Sequence, residues 1–206
     1  IINQLSHHTT DREYAMGRRS SEYLLEHPTW PTEWILQALI IAWNDYLYTG
    51  DKRSIEANYD ILKARTLQSL RRENGLISTT DDKVTTEEFR RSIRFDGLMR
   101  DIVDWPRCGD WPHGEDDHYH LTDYNTVVNA FHYRALVILQ QMAELTNRTD
   151  EAASLRQECQ ALRKAFNELL FDDEKGVYRD GVDSEHVTLH SNLFPMALGL
   201  VAEENE

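Results

Sequence analysis

The sequence predicts an all-α fold in which helical hairpins pack side by side as part of a toroid. Apolar residues recur at helical spacing through most of the chain, which is typical of amphipathic helices. The pattern of a first long hairpin also returns in a second one, where Asp51 and Gly75 are matched by Asp150 and Gly176. Hairpins of this length cannot bury their apolar stripes alone, so they must stack against one another.

Local signals place the individual elements. A Thr10-x-x-Glu13 capping box predicts a helix that runs to about Glu26, and Pro31 predicts the start of a helix that ends at Gly50. Further helices are predicted over Asp51–Asn74, Asp123–Thr146, Asp150–Phe171 and His190–Val201, and short strands around Leu76–Thr79 and Val177–Arg179. The segment 76–122 holds most of the irregular sequence.

Composition excludes several classes of function. The 206 residues include 22 Lys and Arg against 36 Asp and Glu, a net charge of −14. Such a charge disfavours binding to nucleic acid or to anionic lipid, since both depend on Lys and Arg. The longest apolar run, Ala38–Trp43, is too short for a membrane helix. The chain has no Gly-x-Gly-x-x-Gly, no phosphate-binding loop and no Gly-x-Ser-x-Gly, so nucleotide-dependent and serine-hydrolase functions have no support. No cofactor is expected.

The ends of the sequence suggest a piece of a larger protein. Ile1 is not a start methionine, and the last predicted helix is followed only by a few polar residues. We therefore expect residues 1–206 to form a single domain that is incomplete at both ends.

Two acid–tryptophan pairs lie in a loop rich in Pro and Gly. They are Asp104-Trp105 and Asp110-Trp111. A Trp ring stacks on the C–H face of a sugar while a carboxylate accepts hydrogen bonds from its hydroxyls, so the pairs are candidate carbohydrate ligands. The alternative is that both Trp side chains fill the core of the loop and the acids form turns.

Two further acidic positions open predicted helices. Asp11, Arg12 and Glu13 gather two carboxylates and a guanidinium, where a glycosidic oxygen could be met. Glu33, beside Trp34, is a similar acid–aromatic pair. Each acid also has a purely structural explanation, because a carboxylate in the first turn caps the helix or complements its dipole.

The run from His113 to His120 is rich in histidine and acid. Imidazole and carboxylate groups are zinc ligands, but the helical His-x-x-x-His spacing of many catalytic sites is absent. A solvated acidic loop explains the run better, and we predict no metal site.

The order of these motifs resembles the catalytic domain of bacterial α-L-rhamnosidases, which are inverting six-hairpin glycosidases. The likeness is carried by Arg12-Glu13, Trp43–Asp51, Gly109-Asp110-Trp111, Asn125–Ala135 and His190–Val201. The resemblance implies a partial (α/α)6 toroid and hydrolysis of terminal α-L-rhamnosides or a related sugar. It implies Glu13 as general acid and a general base outside this chain. The expected substrate-binding residues are Asp11, Arg12, Glu33, Trp34, Asp104, Trp105, Asp110, Trp111 and His190.

Three other functions stay open at this stage. The chain could belong to a six-hairpin glycosidase with another sugar. It could be a non-catalytic carbohydrate-binding relative, since His8 stands where the acidic motif of the family has Asp. It could also be a helical scaffold whose negative charge selects a basic partner. The resemblance slightly favours a periplasmic or extracellular location, and the sequence leaves the oligomeric state undetermined.

Overall fold

The computed structural model describes residues 2–104 and 118–202. Eight α-helices carry most of these residues, which confirms the all-α prediction. The helices are α1 (Ile2–Thr10), α2 (Ala15–Glu26), α3 (Thr32–Thr49), α4 (Arg53–Ala64), α5 (Glu87–Ile93), α6 (Thr126–Leu145), α7 (Thr149–Leu170) and α8 (Leu189–Leu198). The strands β1 (Phe171–Asp172) and β2 (Val177–Tyr178) pair antiparallel. None of the helices in the described ranges is both long and apolar enough to cross a membrane.

The helices form an inner and an outer layer. α6 is buried on most sides, as the unbroken buried run from Thr126 to His132 shows. Its neighbour α7 instead buries one stripe, formed by Ala152, Leu155, Cys159, Leu162, Phe166 and Leu170. α6 packs against α3, α7 and α8, and α3 packs against α1, α2 and α4. A helix buried all round lies inside its fold, and a one-stripe helix lies at the surface. This alternation fits the predicted partial (α/α)6 toroid.

The internal repeat is visible at two tight turns. Gly75 and Gly176 have φ of +88° and +69°, a conformation that glycine adopts without steric cost. The first turn is closed by the bridge between Arg71 and Ile77, and the second by the β1–β2 pairing. The strand predicted at 76–79 is therefore reduced to one bridged residue, whereas the one predicted at 177–179 is present.

The helix predicted over 51–74 ends ten residues early, at Ala64. Arg65 leaves the helix, and the chain turns at Leu67, whose φ is +61°. The prediction was wrong because the apolar residues after Ala64 keep a helical spacing although they belong to a buried loop. The Thr66 hydroxyl donates to the Lys63 carbonyl, which is a local alternative to continued helix.

The capping box predicted at Thr10 is also absent. Residues 2–10 are already helical, and the Thr10 hydroxyl donates to the Ser6 carbonyl instead of capping a following helix. Asp11 Oδ1 accepts the backbone N–H groups of Arg12 and Glu13, at 2.6 and 3.0 Å. Glu13 Oε1 then accepts the N–H of Ala15 at 2.8 Å, at the first residue of α2. Helix α2, whose N-cap is Tyr14, therefore begins four residues later than the Thr10 capping box predicts.

Helix α5 was missed in the segment interpreted as irregular. Its signal is short: Thr86 accepts the N–H of Phe89, and Phe89 and Ile93 are the buried residues of one face. Arg65 binds the end of this helix to the end of α2. It is 1% exposed, and its guanidinium donates to the carbonyls of Leu24, Leu25 and Ile93. These carbonyls lie in the last helical turns, where they lack helical partners.

Candidate functional site

The N-termini of α6 and α8 are joined through Asp180. Its carbonyl accepts the N–H of Thr126, at the first residue of α6, at 2.9 Å. Its carboxylate Oδ1 accepts both the N–H and the hydroxyl of Thr188, which caps α8, at 3.0 and 2.9 Å. Both helices therefore begin at the same end of the molecule, where their dipoles present positive potential.

Asp180 also organises the loops at this end. The side chain is fully buried, and its Oδ2 accepts the N–H of His120 at 2.9 Å and the Nδ1–H of His186 at 2.7 Å. The His120 and His186 rings stack with centroids 4.2 Å apart. The next residue, Gly181, must be glycine, because a Cβ there would lie 2.7 Å from the Tyr124 carbonyl oxygen.

The start of α3 joins the same end through residues 100–104. Thr32 N, at the first residue of α3, donates to the Arg100 carbonyl at 3.0 Å. Asp101 Oδ2 accepts the hydroxyl of Thr79 at 2.8 Å and lies 3.5 Å from Asn125 Nδ2. Asn125 in turn caps α6, because its Oδ1 accepts the N–H of Val127 at 2.9 Å. Three helix starts thus surround one polar cluster.

Glu33 is a buried acid of this cluster. It is 4% exposed, and its Oε1 accepts the N–H groups of Ile102 and Val103 at 3.1 and 2.8 Å. Burial raises the pKa of Glu33 to about 7, and the negative charge of Asp101 acts in the same direction. Burial also raises the pKa of Asp101, against the hydrogen bonds that its carboxylate receives.

Asp104 and His190 lie at the surface of this cluster. His190 Nε2 is 3.9 Å from Asp104 Oδ2, and about a quarter of each side chain is exposed (26% and 25%). Asp104 comes from the segment that Glu33 binds, and His190 comes from the first turn of α8. A partly exposed carboxylate beside an imidazole offers acceptors and a donor to the hydroxyls of a sugar.

The sequence-predicted site residues fall into separate places. Glu33, Asp104 and His190 are brought together at the N-terminal end of α3. Asp11, Arg12 and Glu13 are exposed and are not part of that cluster. Trp105, Asp110 and Trp111 lie outside the described residues, as does most of the His113–His120 run.

Glu13 lies toward the opposite end of α3. The adjacent Tyr14 stacks on His8, and His8 packs against Tyr48 in the last turn of α3, with ring centroids 5.7 and 5.5 Å apart. Glu33 lies in the first turn. At 1.5 Å per residue, the helical rise from Glu33 to Tyr48 is roughly 22 Å. The predicted acid and the polar cluster are therefore not parts of one site in this structure.

Trp34 points away from its neighbour Glu33. Glu33 is buried, whereas Trp34 is 43% exposed. The Trp34 ring lines a cavity of about 130 Å³ together with Leu24, Pro28 and Arg65, on the side of α3 that faces α2. The structure thus separates the two members of this acid–aromatic pair.

Comparison with known proteins agrees with the fold. The family of the bacterial α-L-rhamnosidase six-hairpin glycosidase domain matches residues 23–206. The chain belongs to this family. A rhamnosidase from Klebsiella oxytoca with rhamnose bound has a similar fold, with a TM-score of 0.63 and 16% sequence identity over 86% of this chain. The chain spans 29% of the length of that structure. No curated protein matches the sequence.

The family match and the structure divide the predicted site residues into the same two groups. Residues 11–13 precede the matched range, whereas Glu33, Asp104 and His190 lie within it. In the described part of this six-hairpin domain, no cluster of three or more His, Cys, Asp or Glu residues could hold a metal ion.

Sequence reasoning missed Asp180, Asn125 and Asp101. Asp180 sits in an Arg-Asp-Gly turn whose local pattern indicates no more than a bend. Asn125 carried a detectable signal, since an Asn before an apolar helical run is typical of an N-cap. Asp101 carried none, because its partners Thr79 and Asn125 are distant in the sequence.

Proposed function

We propose that the protein is a glycoside hydrolase that acts on terminal α-L-rhamnosides or a related sugar. The six-hairpin family and the similar fold support hydrolysis of a glycoside, and the polar cluster at the starts of α3, α6 and α8 supports a sugar-binding site there. The observation that carries this proposal is the pairing of Asp104 with His190, 3.9 Å apart and partly exposed at the surface of that cluster. The ligand is a glycoside, and no nucleic acid or membrane partner is proposed.

The two surface side chains would bind the sugar by complementary hydrogen bonds. The Asp104 carboxylate accepts hydrogen bonds from two hydroxyls, and the His190 imidazole donates or accepts one. A buried layer of Glu33, Asp101 and Asn125 lies beneath and fixes the backbone that carries Asp104. Trp105, Asp110 and Trp111 follow Asp104 in the sequence and are proposed to add aromatic stacking and further acceptors.

The proposed chemistry is inverting hydrolysis. It requires a protonated carboxyl at the leaving oxygen and a carboxylate about 6.5–9.5 Å away that activates water on the opposite face of the sugar. The sequence-based assignment of the acid to Glu13 is untested, but the position of Glu13 near the far end of α3 does not support it. We therefore propose that another residue is the acid. The base is proposed to lie outside these 206 residues.

The test is hydrolysis of a panel of nitrophenyl glycosides, α-L-rhamnoside included, by the full-length protein. Product NMR during the first turnovers reports the anomeric configuration, and we expect inversion. Cleavage of α-L-rhamnoside or of one related sugar would support the proposal. Sugar binding without cleavage would favour the non-catalytic carbohydrate-binding alternative, and neither binding nor cleavage would overturn both.

A further inference from the structure

We propose that Glu33 is a positioning residue that holds residues 102–103 and thereby sets the place of Asp104 in the site. This inference rests on the proposed function, in which Asp104 binds the sugar. It also changes the expected role of Glu33, which the sequence indicated as a substrate ligand. At 4% exposure the side chain is covered by protein, so its contacts are to the backbone rather than to a ligand.

The Glu33 carboxylate binds two consecutive backbone N–H groups. Oε1 accepts from Val103 at 2.8 Å and from Ile102 at 3.1 Å, and Oε2 lies 3.4 Å from the same Ile102 nitrogen. These bonds attach the segment directly to the first turn of α3.

The backbone that Glu33 holds is strained. Val103 has a φ of +52°, which is in the left-handed region. A β-branched residue is rarely found there, because its Cβ crowds the backbone. Such a conformation persists only where the surrounding structure imposes it. The N–H of this same residue donates the shortest of the three hydrogen bonds to Glu33.

The rest of the segment is fixed on the side away from Asp104. Arg100 forms a parallel bridge with Pro31, and Asp101 is bound by Thr79. Asp104 follows Val103 directly. If Val103 relaxed to an extended conformation, Asp104 would turn away from His190. The hydrogen bonds of Glu33 thus hold Val103 in its strained conformation, and this conformation fixes the position of the Asp104 carboxylate.

The first readout is hydrogen exchange at the amides of Ile102 and Val103 in the full-length protein, which needs no sugar. Glu33→Ala removes the acceptor, so we expect their exchange to accelerate about tenfold relative to the wild type. Glu33→Gln keeps a carbonyl oxygen, and we expect it to retain most of the protection. Glu56→Ala is the matched control, because Glu56 is also a first-turn glutamate but is exposed on α4.

A double-mutant cycle tests the role of the strain. Val103→Gly removes the cost of the left-handed conformation. It also removes the packing of the valine side chain, but that loss is the same with Glu33 and with the Glu33→Ala substitution and therefore cancels in the cycle. We expect Glu33→Ala to accelerate exchange at residue 102 less in the Val103→Gly background than in the wild type. Equal acceleration in both backgrounds would overturn the link between Glu33 and the strained residue.

The position of Asp104 has its own readout. The ring resonances of His190 report the neighbouring carboxylate, and we expect them to shift in Glu33→Ala and to stay near the wild-type values in Glu33→Gln. Unchanged exchange at residues 102 and 103, or unchanged His190 resonances, in a folded Glu33→Ala would overturn the inference. If the full-length protein binds no sugar, the proposed function fails, and the exchange experiment still decides whether Glu33 holds the segment.

Discussion

His190 Nε2 lies 3.9 Å from Asp104 Oδ2, although the two residues are far apart in the sequence. Their meeting depends on two independent supports. Asp180 fixes the start of α8, which carries His190, and Glu33 binds the segment that carries Asp104. The two residues can meet only when both supports are in place. Their distance therefore indicates whether the proposed sugar site is correctly formed.

Asp104→Asn should weaken sugar binding. The substitution replaces a charged acceptor by a neutral amide of the same shape, and hydrogen bonds to charged groups contribute about 1.5–3 kcal/mol. We expect the dissociation constant for L-rhamnose, measured by calorimetry on the full-length protein, to rise about 10- to 100-fold. Asp60→Asn, on the exposed side of α4, is the control and should change nothing. An unchanged affinity in Asp104→Asn would remove Asp104 from the site.

Glu13→Gln should leave hydrolysis essentially unchanged. Glu13 is exposed and binds the N–H of Ala15, and a glutamine oxygen can accept the same hydrogen bond. We expect kcat/KM of the full-length protein to stay within about twofold of wild type, since removal of a real general acid costs about 100-fold or more. Glu13→Ala should lower the free energy of unfolding by about 0.5–1 kcal/mol, as loss of a helix cap does. A collapse of kcat in Glu13→Gln would instead restore Glu13 as the acid.

Glu33 should make the protein less stable as the pH rises toward neutrality. Its pKa is about 7 in the folded protein against 4.5 for the free side chain, so the folded state keeps a proton that the unfolded chain has released. The stability linked to Glu33 is complete below pH 4.5 and is lost as the pH rises through 7. Glu33→Gln removes this dependence, because glutamine does not titrate.

The measurement is urea unfolding of wild type and Glu33→Gln at a series of pH values. The difference in free energy of unfolding should grow in favour of Glu33→Gln by up to about 3 kcal/mol between pH 4.5 and 8. Glu56→Gln should show no such trend, because Glu56 is exposed. A difference that is independent of pH would contradict the raised pKa.

Much of the fold could be predicted because it depends on local periodicity. α6 and α7 were predicted nearly to their ends, since long helices with a clear apolar pattern and a turn between them leave little ambiguity. The end of α4 could not be predicted. Leu67 and Leu70 keep a helical spacing, but they belong to a loop that is buried against other parts of the fold. Arg65 ends that helix by reaching carbonyls of two other helices, and no local pattern contains those partners.

The candidate site was predicted in part, at Glu33, Asp104 and His190, although Glu33 was expected to bind the substrate and is buried. Asp104 and His190 belong to residue types that bind sugars, and the family resemblance placed both among the expected substrate-binding residues. Asp180 and Asp101 act through partners from other loops, so their role becomes visible only in three dimensions. For Glu13, the local motif was visible in the sequence but its position in the fold was not. Arg12-Glu13 is similar to a catalytic motif, yet it lies near the other end of α3.

The buried face of α3 should contribute strongly to the stability of the fold. Leu39 is fully buried in α3, and Leu39→Ala should lower the free energy of unfolding by about 2–5 kcal/mol. Leu47 lies on the same helix but is 59% exposed, and Leu47→Ala should change it by about 0.5 kcal/mol or less. Chemical denaturation of the two variants measures both values. Similar losses in both would contradict the difference in burial between the two leucines.

The crystal structure of the full-length protein with L-rhamnose is the most direct test of the central claim. Our account predicts that the sugar lies at the N-terminal end of α3, with hydroxyl oxygens about 2.5–3.2 Å from Asp104 and His190. It also predicts that Glu33 remains bound to the backbone of residues 102 and 103, without contact to the sugar. A sugar bound beside Glu13, near the other end of α3, would contradict it.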